Sequence, residues 1–439
     1  MEAATASRTG APQIERPHAL GVALAGFTVI VATIVYGLAT GSERLGTPLP
    51  PFLYDWDPEV GVLAPVAVAV LALGVVLAPR LHAPALSPLA FGATALALAL
   101  ALRLGVAVAR DGVLGWYGVY AEPSFEAANE YLPALPALDF GLRAFLDTFA
   151  EIATALPVHA AGHPPGLLAT MHLLGIDSAQ GMAALTIGAG ALSVPLTYAL
   201  ARRLLDETRA RTATLLYAFA PSAVLHGATS ADALYATLAL LAVVALVSAH
   251  RRISLTLGPA ALALASLFSY ANLAVGAFAT LIVARRDGLR RALLLAVTSA
   301  AGLGLAYALL HLVSGFDPLG TLASTATVYG EGIASRRPYA FWLLGSPVAF
   351  LVAAGVPLAW LGLRALGARE TVAVSLFAVV AISALLGYSK AETERIYLFL
   401  VPLLCLAAAS VLPERRLTAV LGALAIQALA MELALLTVW

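Results

Sequence analysis

Five stretches of this 439-residue chain set side by side groups able to move a proton or bind an anion. In "PVHAAGHPPGLLATMHLLG" (157–175), proline is favoured at the first helical position, so Pro164 or Pro165 starts a helix and His163 stands at its N-terminal edge. Unpaired amides and the positive end of a helix dipole suit a phosphate or a carboxylate there. His159, just upstream, is placed to turn toward the same spot, unless the prolines merely bend a loop and both histidines face water. "TSADALY" (229–235) sets Asp232 at the head of an apolar run. An acid at membrane depth marks function by default, whereas the plain alternative is a helix cap from Thr229, Ser230 or Asp232. "KAETERIY" (390–397) packs Lys390, Glu392, Glu394 and Arg395 into six residues, either as a solvated turn or as an anion clamp. Lys390 is the only lysine of the chain, and its place here favours the clamp. "SRRPYAFW" (335–342) offers Arg336 and Arg337 as a second cationic pair, or as headgroup anchors beside Tyr339 and Trp342 in an aromatic belt. The long segment 110–180 supplies Asp111, Glu122, Glu126 and Glu130.

These groups must be positioned by a membrane-embedded frame. The apolar fraction is 61% and the charged fraction 11%, less than half the roughly 25% of a soluble domain, and the mean hydropathy is +0.90. Recurrent apolar runs of about 20 residues predict an all-α polytopic membrane protein. Zero formal net charge gives no reason to expect nucleic acid. Cys405, the single cysteine, lies in an apolar run, which excludes disulfides and thiolate metal sites. The alanine and arginine load points to a GC-rich bacterial genome. Without a small-residue cleavage site, the first apolar run reads as a retained anchor.

About thirteen spans are predicted: 18–39, 61–79, 86–108, 181–201, 211–228, 231–249, 254–269, 271–284, 291–313, 340–362, 371–388, 396–412 and 417–438. With a cytoplasmic N-terminus, the inner loops collect Arg80, Arg202, Arg203, Arg209, Arg211, Arg251, Arg252, Arg285, Arg286, Arg290, Arg291, Arg364, Arg369, Arg415 and Arg416, the asymmetry of the positive-inside rule. That pattern holds only if 164–175 does not cross, so 110–180 becomes an outer-face loop with interfacial helices at 141–155 and 164–175. Leu142, Phe145, Leu146, Phe149 and Ile152 form one face of the first, and Arg143, Asp147 and Glu151 another. Arg103, in the third span, is near enough to the outer end to snorkel.

A long acidic outer loop, two juxtamembrane helices, an "HPP" element and a span ending in "YALARRLLDETRAR" resemble the GT-C superfamily of membrane glycosyltransferases, in the order seen in protein O-mannosyltransferases and aminoarabinose transferases. "EYLPALP", "HAAGHPPG", "TSADALY", "LFSYANLAVG" and "KAETERIYLFLVP" look closest to an uncharacterised actinobacterial set of such integral membrane proteins. The resemblance covers about 86–412. It leaves 1–17 as a cytoplasmic tail, 18–85 as two added N-terminal helices and 413–439 as a C-terminal helix.

The resemblance implies sugar transfer, with inversion, from a polyprenyl-phosphate donor to an envelope acceptor at the outer face of a bacterial plasma membrane. A loop carboxylate would deprotonate the acceptor hydroxyl. Glu130, beside an aromatic in "NEYLP", matches that role best, with Asp111, Glu122 and Glu126 as the other candidates. His159, His163, Asp232, Lys390, Glu392, Glu394, Arg395, Arg336 and Arg337 would bind substrate. Charge on the departing phosphate needs cationic stabilisation, which leaves a divalent cation open as cofactor, although no ligand spacing assigns a metal site. The sugar and the acceptor are unread. The rivals are a lipid or solute transporter or flippase, disfavoured by the lack of internal repeats, and a non-catalytic envelope-assembly subunit.

Overall fold

The computed structural model describes residues 17–83 and 85–438; the tail expected at 1–17 lies, but for Pro17, outside the described residues. Apart from a two-residue antiparallel pairing of Asp55–Trp56 with Leu435–Leu436, the regular structure is helical. Among the described residues, seven helices are long and apolar enough to cross a membrane: His18–Thr40, Ala64–His82, Pro88–Ala107, Ala179–Leu204, Leu289–Ser314, Thr393–Val411 and Glu414–Ala434. The count rises to nine if each of two bent helix pairs is one span. This is a multi-pass membrane protein, but the thirteen predicted spans are too many.

The correction has local causes. A membrane span needs about 30 Å of helix at about 1.5 Å per residue. The run predicted at 211–228 is instead Glu207–Phe219, of 13 residues, followed by Pro221–Thr229. Pro221 lacks the amide that would continue the first helix. Pro221–Thr229 and Asp232–Leu246 then meet at 114°, so they do not make two independent crossings. The run at 340–362 is Tyr339–Ala354 and Val356–Gly367, bent by 116°. Its hinge is Gly355, whose φ of +136° is open to glycine alone, and Pro357 follows one residue further on. Ile253–Ser266, Ala274–Asp287 and Thr371–Leu386 are helical but too short.

The helices share one large apolar core, including Phe91, Phe219, Leu240, Phe278, Leu358 and Leu404. A second core lies under the 110–180 segment, where Tyr120, Tyr131, Phe145, Phe149, Leu168 and Met171 pack on Ile187, Leu234, Tyr235, Phe268 and Phe316. The two expected helices of that segment form at Leu142–Ile152 and Gly166–Leu174. The first buries Phe145 and Phe149 and exposes Arg143, Asp147 and Glu151, as its periodicity requires. It rests on Pro318–Glu331, where Ser324 Oγ donates to the carbonyl of Ala150 at 2.6 Å.

The arginine-rich ends of the helices also meet. Arg211 donates to the carbonyls of Ala83 and Leu86 at 2.5 and 2.6 Å, and Arg286 and Arg291 reach those of Val247 and Ser248. Arg103 does not snorkel. It is 1% exposed, beside Tyr217 and under Gly227, where a Cβ would come within 2.6 Å of its Nε. Trp342 is no belt residue either: it is buried against Leu45 and Ala391, and its indole N–H donates to the carbonyl of Leu45 at 3.0 Å.

Candidate functional site

Segments far apart in sequence bring their charges together where the 110–180 segment meets the helix ends. Glu126 lies in a single helical turn and Glu130 follows just after it, both buried. His159, on the short helix Val158–Gly162, is tied to them through its own backbone, because its amide donates to the carbonyl of Asn129 at 2.9 Å. The imidazole Nε2 then sits 2.5 Å from Glu126 Oε1 and 4.0 Å from Glu130 Oε1. Burial would depress this imidazole, but the charge of Glu130 and the hydrogen bond to Glu126 outweigh it and raise the His159 pKa. Burial likewise raises that of Glu130, against the pull of His159 and Arg395. Glu130 Oε2 is buried with no hydrogen-bond partner among the described residues.

A second ion group stands beside the first. The break between Pro221–Thr229 and Asp232–Leu246 leaves Ser230 extended, and its hydroxyl accepts from the Asp232 amide at 3.1 Å while donating to Asp232 Oδ2 at 2.8 Å. The same carboxylate holds Arg395 at 2.5 Å, both side chains nearly fully buried. Ser230 thus takes the amide at the helix start, and the Asp232 side chain serves the site wall. Arg395 continues to Glu392 at 3.3 Å, and Glu392 to Arg337 at 3.0 Å. Burial opposes ionisation of Glu392, but Arg337 and Arg395 hold its carboxyl below the usual range. Ala391 and Glu392 adopt left-handed φ values of 67° and 61°, a conformation that carries strain in residues other than glycine. In this turn Glu392 stands between the two guanidinium groups.

Aromatic groups join the two. Tyr131, next to Glu130, bonds through its hydroxyl to that of Tyr235 at 2.6 Å, and the ring of His163 lies 5.2 Å from the Tyr235 ring. His163 feels Asp232, His159, Arg395 and Glu392. Burial, partly offset by Asp232 and reinforced by His159 and Arg395, pushes it down to about 4. It is therefore neutral at physiological pH, not a cation for a phosphate. The helix start it precedes is also poor in donors, because Pro164 and Pro165 have no N–H and the Gly166 amide is spent on the carbonyl of Leu267 at 2.9 Å.

The other sequence candidates lie elsewhere. Lys390 is half-buried with its ammonium on the carbonyl of Ala334 at 3.4 Å, while its own carbonyl accepts from Arg337 at 2.7 Å. Glu394 is buried and takes the Leu53 amide at 2.7 Å. Arg336 is exposed and Arg337 buried, which separates the neighbours. Asp111 and Glu122 are exposed and line an open cleft of about 370 Å³ with Arg110, Thr229 and Glu432. Arg110 there pairs with Asp57 at 2.8 Å and Glu59 at 3.3 Å.

No known protein family matches the chain, and no curated protein does. The chemistry of the site thus rests on its own geometry. Sequence reasoning weighed Glu126 only as a further acid of the loop and passed over Tyr131 and Tyr235. The spacing of Glu126 and Glu130, equal to that of His159 and His163, is the one local signal available, and it does not say which members meet.

Proposed function

We propose that the chain is a membrane glycosyltransferase of GT-C type, moving a sugar from a polyprenyl-phosphate donor to an envelope acceptor. The N-terminus would be cytoplasmic and the site would face the outside of a bacterial plasma membrane. The observation that carries this reading is the meeting of a buried loop carboxylate, Glu130, with His159, His163, Asp232, Glu392, Arg395 and Arg337 at the ends of apolar helices. The acceptor oxygen bonds to the anomeric carbon, the bond from that carbon to the phosphate oxygen breaks, and Glu130 takes the hydroxyl proton. A carboxylate whose pKa is raised is the stronger base for that step. Arg395 and Arg337, fixed by Asp232 and Glu392, keep positive groups in place for the departing phosphate without reorganisation.

Wild-type and Glu130→Gln protein in vesicles, supplied with a panel of polyprenyl-phosphate-linked hexoses and pentoses and an envelope extract, test this. Wild type should release polyprenyl phosphate, and the variant should lose about a hundredfold or more of that rate. No release from any donor, or equal rates in the two proteins, would reject the reading.

The transporter reading keeps one observation of its own. A helix broken by 114° with Ser230 and Asp232 at the break resembles the discontinuous helices that hold transporter substrates. Flux of an intact lipid-linked sugar across the vesicle, with no covalent change, would decide for it.

A further inference from the structure

We propose that Glu126, Glu130 and His159 form a binding site for one divalent first-row metal ion, of the Zn2+ or Mn2+ kind. One donor atom from each residue lies within 4.8 Å of the others, and all three residues are buried. Ions of this class hold nitrogen and oxygen donors at about 2.0–2.2 Å, which spaces the donors about 3–3.5 Å apart. The two contacts of the imidazole, at 2.5 and 4.0 Å, bracket that spacing, so small opposite shifts of two glutamate side chains seat the ion.

A second feature points to a ligand here. Glu130 Oε2 is buried with no hydrogen-bond partner among the described residues, so no donor on the protein compensates that oxygen for the loss of water. Arg395 acts on Glu130 at a distance but is itself held by Asp232 and Glu392. Two carboxylates thus face one imidazole, and a dication is the species that balances them.

The donor set narrows the ion. One imidazole with two carboxylates suits Zn2+ or Mn2+, whereas Mg2+ and Ca2+ favour oxygen-only shells. Three protein donors leave coordination positions open, the arrangement of catalytic zinc sites as opposed to closed structural ones. The backbone bond from His159 to Asn129 fixes the two donor-bearing segments against each other before any ion arrives. The open cleft does not compete, because its lining carboxylates Asp111 and Glu122 are exposed to water.

This inference deepens the transferase reading and draws on the same residues, but its test needs no turnover. Tag-free, full-length protein in detergent is stripped with EDTA and titrated with Mn2+ alone, free Mn2+ being read by electron paramagnetic resonance. One Mn2+ per chain should bind and be displaced by Zn2+. Glu126→Gln and His159→Gln should each weaken it about tenfold or more, while Arg110→Ala leaves it unchanged. A readout without variants accompanies it: Zn2+ should raise the thermal midpoint of the wild type by mass action. No saturable site, no Zn2+ shift in the wild type, or equal affinity in folded Glu126→Gln and His159→Gln would overturn the proposal and leave the transferase test standing.

Discussion

The buried ion cluster and the open cleft beside it contain the same residue types and treat them in opposite ways. At the cleft, Arg110, whose own side chain is largely covered, meets Asp57 and Glu59, whose side chains are more than half exposed, and Asp111 and Glu122 face solvent. Water screens such charges, and pairs of this kind contribute at most about 1 kcal/mol. In the cluster, Asp232 and Arg395 are both buried, and Glu126, Glu130 and His159 are closed off with them. There each charge depends on its neighbours because water cannot replace them. The lesson is that proximity of acids and bases in the 110–180 segment says little about chemistry. The position of the second apolar core, which covers one group and not the other, separates them.

Three predictions break or sharpen that contrast. The largest effect belongs to Asp232→Ala, which strands Arg395 in a dry site; it should lower stability by about 3–5 kcal/mol, read as a fall in denaturation midpoint, with Glu59→Ala, at the exposed end of the Arg110 pair, as the weak counterpart. A normal midpoint in Asp232→Ala would mean that water reaches the cluster. The next concerns pH. His163 is held neutral, with its pKa lowered to about 4 from an unfolded value near 6.5. Between those values the unfolded chain binds more protons, so its contribution is complete above about pH 6.5 and is lost as pH falls toward about 4. The melting temperature of His163→Gln should fall less over that window than that of the wild type. His163 keeps some surface, so the difference is modest. The smallest effect is expected for Asp111→Asn and Glu122→Gln, with stability within about 0.5 kcal/mol of wild type and sugar transfer retained. A loss of transfer in either one, with Glu130→Gln active, would move the base from the cluster to the cleft.

Much of the frame was legible in the chain. Apolar runs identified the long helices, and helical periodicity placed Leu142–Ile152 with Phe145 and Phe149 inward. The number of spans was not legible, because hydropathy counts apolar residues and does not register the direction a helix takes after Pro221, Ser230 or Gly355. Arg103 and Trp342 were misplaced for a related reason. A charge near a span end or an aromatic next to arginines has an expected address only until a neighbour such as Gly227 or Leu45 makes room inside.

By itself, then, the sequence determined that this chain lives in a membrane as helices and that its ionisable groups gather in a few short segments. Those properties follow from composition and period, which are local. The tertiary structure alone decided that Glu126 would face His159, that Asp232 would take Arg395 rather than stand as a simple cap, and that Lys390 would turn to a carbonyl. Each of these is a contact across 33 to 163 positions of the chain, or 56 for Lys390. Such pairings are selected by packing and by the cost of burying an unmatched charge, which exist only once the elements have met.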